Sequence, residues 1–484
     1  MIDFAGRPWL HFVGVAGSGM SALAQFHVGR GGRATGSDRA FDQGRDREIR
    51  AALEAAGVEI VPQDGTAPAR GCAAVVTSTA VEAQIADLVR ARELNIPCQH
   101  RSELLAVYVA RHRTIAVTGT SGKSTTTAMV WTILEGCGRE PRLLTGGPLV
   151  ALQQRGLLGN AYGGAPVGGA DNDAQSRADA GPAGDLLVIE ADESDGSVVR
   201  YHPWAGVVLN LARDHKEIAE VAEMFTAFRL NCGGPLIVGD ARNLDFLRPG
   251  AVSYGLSERA DVRATDLALG PRDVAFTACG VRFVVPWPGR HTVLNALAAI
   301  AVCREAGIAP AAMAAPLSAF AGVARRFVSQ GSAGGVEVID DFAHNPDKLA
   351  AAIATGRDRL ADPSCRVLAV FQPHGYGPTR FLRADLVAAL AAALRRTDIL
   401  WLPEIFYAGG TVARDISSGD LAADLVARDR DARFCADRAD LPRLIAACAR
   451  PGDLVLVMGA RDPSLTGLAR DILAALGSGA AGGS

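Results

Sequence analysis

The 484-residue sequence has no long run of charge of one sign, no surplus of basic residues, no paired cysteines and no apolar stretch long enough to cross a membrane. Each absence removes a class of function. With 49 Lys and Arg against 52 Asp and Glu, the formal net charge is −3. No broad basic surface exists to neutralise a phosphate backbone, so nucleic acid is not an expected partner. The Ala-rich stretches 295–301 and 388–394 run into Arg304, Glu305, Arg395 and Arg396. They stop well short of the roughly 20 apolar residues a spanning helix needs, so no membrane insertion is expected. Residues 1–7 show no basic region followed by an apolar one, and a cytoplasmic location is the resulting expectation. The nine cysteines, Cys72, Cys98, Cys137, Cys232, Cys279, Cys303, Cys365, Cys435 and Cys448, form no CxxC pair. That suits neither a zinc site nor a disulfide framework, and they read as reduced core residues.

What is present is a repeated alternation of apolar strand-like and helix-like runs, the pattern of α/β domains with parallel sheets. A single core stops growing near roughly 250 to 300 residues, so the chain should divide, and three domains are predicted. Residues 1–110 hold strands over 9–13 and 73–77 and helices over 20–29 and 81–94. Residues 111–325 open with a strand over 114–117 and continue with strands over 185–190 and 206–210. Within them, 159–184 is mostly Gly, Ala, Asp and Pro, too poor in apolar surface to offset its ordering entropy, and it is predicted to be a mobile insertion. Residues 326–484 hold strands over 336–339, 367–371, 399–402 and 454–457. The tail 477–484 is predicted to be disordered.

The strongest chemical signal follows the 114–117 strand: Val117-Thr118-Gly119-Thr120-Ser121-Gly122-Lys123-Ser124-Thr125. Glycines here let backbone N–H groups close around phosphate oxygens, and the start of the next helix adds its partial positive charge. Lys123 suits the β and γ phosphates, and the Ser124 hydroxyl suits magnesium. Only Thr120 and Ser121 separate the two glycines, where the general phosphate loop has four residues. Then Glu190-Ala191-Asp192-Glu193-Ser194-Asp195 places four acids at the end of an apolar strand. Such acids repel one another unless a cation compensates, which points to a hard metal.

The compact TGTxGK[ST] loop resembles that of the Mur ligases, and the resemblance extends along the chain. Asn210-Leu211-Ala212-Arg213-Asp214-His215 resembles the family's Asn…Asp-His element. Gly14-Val15-Ala16-Gly17-Ser18-Gly19-Met20 resembles its N-terminal GxGGxGM loop, followed by Gly36-Ser37-Asp38, and Val76-Thr77-Ser78-Thr79-Ala80 its VSSA stretch. Pro288-Gly289-Arg290-His291-Thr292-Val293-Leu294-Asn295, Gly322-Val323-Ala324-Arg325-Arg326-Phe327 and Asp340-Asp341-Phe342-Ala343-His344-Asn345-Pro346 also match family elements, as does Phe371-Gln372-Pro373-His374-Gly375-Tyr376-Gly377-Pro378-Thr379-Arg380. Four positions depart from the family pattern: Thr292 replaces an asparagine, Asn345 a histidine, and Gly375 and Pro378 arginines.

The resemblance implies three α/β domains: a Rossmann-like N-terminal domain for a UDP-N-acetylmuramate-type sugar nucleotide, a central P-loop domain for ATP and Mg2+, and a Rossmann-like C-terminal domain for an amino acid or peptide. It implies magnesium ligands Ser124, Glu190 and His215, with Lys123, Arg326 and Asp341 completing the catalytic set. ATP contacts are expected from Gly119, Thr120, Ser121, Gly122, Lys123, Ser124, Thr125, His291, Asn295, Arg326, Asp341 and His344. Substrate contacts are expected from Gly14, Gly17, Ser18, Gly19, Ser37, Asp38, Ser78, Thr79, His374, Tyr376 and Arg380. The implied reaction is ATP-dependent amide formation through an acyl-phosphate, in peptidoglycan biosynthesis, by a monomer or homodimer. Three alternatives stay open: a recycling ligase that adds a tripeptide, a non-catalytic nucleotide-binding relative, and a dehydrogenase using the glycine loop for NAD. Against the last, the methyl of Ala16 opposes close approach of a pyrophosphate.

Overall fold

The structure is a computed structural model that describes residues 7–164, 186–212, 216–407, 413–462 and 464–480. Four sheets organise it. The first has the order β3-β2-β1-β4-β5, built from β1 (Trp9–Val13), β2 (Arg33–Ser37), β3 (Glu59–Ile60), β4 (Cys72–Thr77) and β5 (Cys98–His100). All its pairings are parallel. The second, of eight strands, has the order β13-β12-β11-β10-β6-β9-β7-β8. Its members are β6 (Arg113–Thr118), β7 (Arg142–Leu144), β8 (Ala161–Tyr162), β9 (Leu186–Glu190), β10 (Ala205–Val208), β11 (Leu236–Gly239), β12 (Val252–Gly255) and β13 (Val262–Arg263). Only the edge pair β7 and β8 is antiparallel. A three-stranded sheet of β14 (Thr265–Leu269), β15 (Val274–Ala278) and β16 (Val281–Val285) follows. The last sheet, β17-β18-β22-β19-β20-β21, comprises β17 (Val328–Ala333), β18 (Val336–Asp341), β19 (Val367–Gln372), β20 (Ile399–Pro403), β21 (Asp431–Cys435) and β22 (Leu454–Gly459).

The chain forms two compact units, 1–268 with 274–323, and 269–273 with 324–484. Within the first, one buried apolar cluster runs from Leu10, Phe12 and Tyr108 of the first sheet and its helices to Leu144, Leu187 and Phe225 of the second. A second cluster fills the other face, where the helices Lys123–Gly136 and Arg290–Glu305 bury Met129, Trp131, Ile133, Leu297 and Ile300 against Ile115, Val117 and Val188. These strands are apolar on both faces, as expected of parallel strands covered on both sides.

Several expectations need correction. The helix predicted over 81–94 is confined to Ala86–Glu93, because Val81 and Ile85 close tight turns onto the Ser78 and Glu82 carbonyls first. The strand predicted over 206–210 ends at Val208, where the chain bends so that Asn210 meets the phosphate loop. Ala161 and Tyr162, placed in the mobile insertion, form edge strand β8, and Tyr162 packs edge-on to Trp131 at 5.8 Å; residues 165–184 lie outside the described residues. Of the tail, residues 477–480 continue the helix Leu465–Ala480, in which Leu465, Leu468, Ala469, Ile472 and Leu476 form one buried stripe; residues 481–484 lie outside the described residues. All nine cysteines are free, but only Cys72, Cys303 and Cys435 are buried, and Cys98 and Cys279 are exposed. Among the described residues, no helix is long and apolar enough to cross a membrane.

His112 caps the helix Arg101–Arg111. Its Nδ1 donates to the Tyr108 carbonyl at 2.7 Å. Burial, reinforced by Arg30, Arg142 and Arg111, outweighs that bond and pushes its pKa down to about 4. The unfolded chain therefore takes up a proton between pH 6.5 and 4 that the folded chain refuses, so stability falls as pH drops through that window. Between pH 7 and pH 5 the expected loss is about 2 kcal/mol, at ~1.4 kcal/mol per unit. Urea unfolding of wild type and His112→Asn at both pH values checks this: the variant should lack that part of the pH dependence, and equal dependence in both refutes it.

Candidate active site

The phosphate loop connects β6 to the helix Lys123–Gly136. Gly119 has φ +140° and Gly122, the N-cap, has φ +83°. Both conformations favour glycine. A Cβ at Gly119 would lie 2.9 Å from Leu209 Cβ and 3.2 Å from the Leu209 and Asn210 backbone nitrogens. A Cβ at Gly122 would lie 2.5 Å from Asn295 Oδ1, which places Asn295 over the loop. Asn210 braces the loop from β10: its Oδ1 accepts from the Ser121 N–H and the Thr120 hydroxyl, both at 2.9 Å, and its Nδ2 donates to the Ser121 carbonyl at 2.9 Å. Thr125 is half-buried on the first helical turn, and His291 is exposed on the first turn of the helix Arg290–Glu305.

Lys123 Nζ donates to Glu193 Oε2 at 2.7 Å and to the Gly119 carbonyl at 2.9 Å, with Asp192 Oδ1 at 3.4 Å. Burial alone would depress its pKa, but Glu193, Asp192 and Glu190 outweigh it and hold the ammonium above the ordinary lysine value. Glu190, at the end of β9, accepts from Ser124 Oγ at 3.0 Å through Oε1, and from Thr145 Oγ1 and the Gly146 N–H, each at 2.8 Å, through Oε2. Asp195 pairs with Arg101 at 2.6 Å. The acids are thus compensated in this structure by Lys123 and Arg101. Among the described residues no three of His, Cys, Asp and Glu converge as metal ligands, and His215 lies outside the described residues. Ser124 and Glu190 do converge. A hydroxyl and a carboxylate oxygen beside a backbone cradle that a Cβ would fill are the donor chemistry of a hard cation held next to phosphate.

The first sheet carries its glycine loop at the carboxyl ends of β1 and β2, the usual ligand crevice of such sheets. Gly14 has φ +77°, Gly17 caps the helix Ser18–Gly29, and Ser18 is exposed. Asp38 holds this loop: Oδ2 accepts from the Ala16 N–H at 3.0 Å, and Oδ1 caps the next turn at Ala40 at 2.9 Å. A Cβ at Gly19 would lie 3.0 Å from Arg101 Nη1, so Arg101 reaches both this loop and Asp195. Ser78 and Thr79 follow β4, half-buried and exposed respectively. Ser37 is fully buried, and its hydroxyl donates to Asp87 Oδ2 at 2.5 Å, where His11 also points. That bond anchors the strand end rather than presenting a hydroxyl to solvent.

In the second unit Asp341 receives the Phe327 and Ala343 N–H groups, both at 2.7 Å. Burial raises its pKa against the opposing charge of Arg326. The Arg326 guanidinium lies 4.9 Å from the Phe342 ring centroid. His344 and His374 meet edge-to-face at 5.4 Å, and Tyr376 packs on Tyr407 at 5.3 Å beneath Arg414. Arg380 is paired with Asp415.

Three family models match the chain: "Mur ligase family, catalytic domain" over 10–113, "Mur ligase middle domain" over 117–303 and "Mur ligase, glutamate ligase domain" over 325–461. The chain belongs to the Mur ligase family. It is 34% identical to a UDP-N-acetylmuramate–L-alanine ligase of Geobacter sulfurreducens over 469 residues, 93% of this chain and 94% of the relative. It is 35% identical to one of Stenotrophomonas maltophilia over 478 residues, 94% and 93% of the two chains. A solved UDP-N-acetylmuramate–alanine ligase from Thermotoga maritima shares the three-domain α/β fold with a TM-score of 0.77 at 24% identity, covering 97% of this chain and 99% of that one. A murein peptide ligase from Psychrobacter arcticus matches the fold with a TM-score of 0.66, also at 24% identity, over 97% and 99%.

Within this Mur ligase, each of the four departures has a local structural setting. Asn345 is the N-cap of the helix Pro346–Asp358, its Oδ1 accepting from the Lys348 N–H at 3.0 Å. Gly375 has φ +71° and caps the helix Tyr376–Ala393, whose first turn accommodates Pro378. Thr292 is buried and donates to the Pro288 carbonyl at 2.7 Å. Glu193, Asn210, Thr145 and Arg101 were not singled out as site residues by sequence reasoning. Glu193 and Asn210 lie inside recognised motifs, whereas Thr145 and Arg101 carry no local signal.

Proposed function

We propose that this Mur ligase joins L-alanine to UDP-N-acetylmuramate in peptidoglycan biosynthesis, using ATP to convert the sugar-nucleotide carboxylate to an acyl-phosphate that the amine then attacks. The observation that carries the reading is the convergence of Lys123, Ser124 and Glu190 around a glycine cradle. A free carboxylate is a poor electrophile, so catalysis here is mostly positioning and charge neutralisation. The loop N–H groups and Lys123 receive the triphosphate, with Asn295 beside them and His291 on the first turn of the same helix; for nucleotide contacts from Arg326, Asp341 and His344 the support is the family resemblance of their motifs. Ser124 and Glu190, with His215, would hold magnesium, and that ion would supply neutralisation of the charge on the β and γ phosphates. Lys123 is kept charged and is carried by Glu193 until phosphate replaces it.

In this reading residues 1–110 receive the sugar nucleotide through Gly14, Gly17, Ser18, Gly19, Asp38, Ser78 and Thr79, with Ser37 acting from beneath. Residues 111–325 hold ATP, and 326–484 receive the amine through His374, Tyr376 and Arg380. Gly375 and Pro378 favour a second reading within the class, in which a peptide replaces L-alanine, since two guanidinium groups expected beside a small amino acid's carboxylate are missing. Incubating the enzyme with UDP-N-acetylmuramate, ATP and Mg2+ plus L-alanine, other amino acids or tripeptide, and following phosphate release and product mass, separates the two. Turnover with L-alanine is expected. Turnover with tripeptide alone selects the second reading, and none with any amine rejects both.

A further inference from the structure

A series of hydrogen bonds runs from the phosphate-loop helix to the glycine loop of the first sheet. Glu190 joins Ser124 to Thr145 through its two carboxylate oxygens, at 3.0 and 2.8 Å. The Thr145 N–H donates to the Asn160 carbonyl at 3.0 Å. Asn160, 4% exposed, then crosses to the first sheet. Its Nδ2 donates to the Ser18 carbonyl and to Ser21 Oγ, both at 2.8 Å, and its Oδ1 accepts from Gln25 Nε2 at 2.9 Å. Both amide donors and the acceptor are committed to the first turns of the helix that Gly17 caps. The other end of that helix is seated too: a Cβ on Gly29 would lie 3.3 Å from Gly163 Cα, just past β8.

We infer that Asn160 is a positioning residue that fixes the sugar-nucleotide loop relative to the Ser124–Glu190 pair, so that filling either site tightens the other. The inference rests on the assignment of the two sites given above. The two reacting groups are delivered by different sheets, and a misplacement of about 1 Å between them costs on the order of a hundredfold in rate. A side chain this buried has no water to replace its lost bonds. Phosphate oxygens and a cation arriving at Ser124 and Glu190 compete for the bonds those groups now make to each other. Any shift of Glu190 is passed to Thr145, whose peptide N–H holds Asn160, and from there to Ser18. Such coupling is reciprocal between the two ligands.

The test is calorimetric titration of the full-length protein with UDP-N-acetylmuramate, alone and with saturating AMP-PNP and Mg2+. In wild type the nucleotide should tighten sugar-nucleotide binding about tenfold, inside the usual range for coupled sites. Asn160→Asp keeps the size but removes both amide donors, and its coupling factor should fall to about 1–2. AMP-PNP binding alone should stay within about twofold of wild type, and kcat should fall while KM for ATP does not move. Gln25→Met, which deletes only the bond to Asn160 Oδ1, should lose part of the coupling with an unchanged melting curve. This guards against a folding defect in the first variant. A wild-type coupling factor in both variants overturns the inference, as does wild type that binds both ligands independently. Wild type that binds neither ligand instead overturns the functional reading, and the inference with it.

Discussion

Lys123→Ala should reduce ATP-dependent ligation by at least ~1,000-fold, the scale seen when a preorganised charge aimed at a transition state is removed. The ammonium is placed by the first helical residue after Gly122 and is held among Glu193, Asp192 and the Gly119 carbonyl. The deletion also leaves Glu193, 3% exposed, without its cation, and a buried uncompensated carboxylate must be protonated or destabilise the fold. The variant should therefore be less stable than wild type at neutral pH, and the gap should narrow as the solution is acidified toward the carboxylate range. Phosphate release measured beside thermal melts at pH 7.5 and 5 reads both effects. Full ligation by the variant would remove the basis for placing the triphosphate here.

Gly119→Ala is the second large expected effect, because the strain is in the backbone. At φ +140° an alanine is disfavoured, and its methyl would press on Leu209 Cβ and on the Leu209 and Asn210 backbone nitrogens. A flexible side chain can swing aside; the backbone at Leu209 and Asn210, just past β10, cannot. The loop should be displaced from Asn210, opening the bonds to Thr120 and Ser121. A loss of about a hundredfold in kcat/KM for ATP is expected from a displacement near 1 Å, with a stability cost of roughly 1–3 kcal/mol from the strained conformation. The comparison that checks it is Asn210→Ala, which releases the same brace without strain and should reproduce the ATP defect in milder form. A Gly119→Ala enzyme with normal ATP kinetics would show that the cradle tolerates a Cβ.

Seven strands of the second and fourth sheets were legible because continuous runs such as Leu186 to Ile189 and Leu454 to Val457 have no use outside a covered sheet, although the equally apolar β11 was missed. β2 was not: Arg33-Ala34-Thr35-Gly36-Ser37 has weak strand propensity, and it is a strand because β1 offers it a partner in register, Trp9 opposite Arg33. The exposed strand β14 was missed for the same reason. At the site, residues whose purpose is local were readable from spacing. Asn210, Thr145 and Arg101 act on groups 45 to 94 positions away, Thr145 on Glu190 at 45 and Arg101 on Asp195 at 94, and only folding reveals those contacts. Residues 477–480 misled because Gly477 and its small neighbours resemble linker composition, while the helix they continue is held upstream by Leu473 and Leu476 in the core.

The apolar cluster that joins the first two sheets has a consequence for how this chain can be divided. Phe12, Phe26 and Tyr108 share one interior with Leu187, Ile189 and Phe225, so severing the polypeptide near residue 110 would divide that cluster and leave apolar surface exposed on both fragments. The natural seam is instead near Val323 and Ala324, where the compact units part. The sheet that carries the N-terminal glycine loop and the sheet that carries the phosphate loop should thereby unfold in one transition.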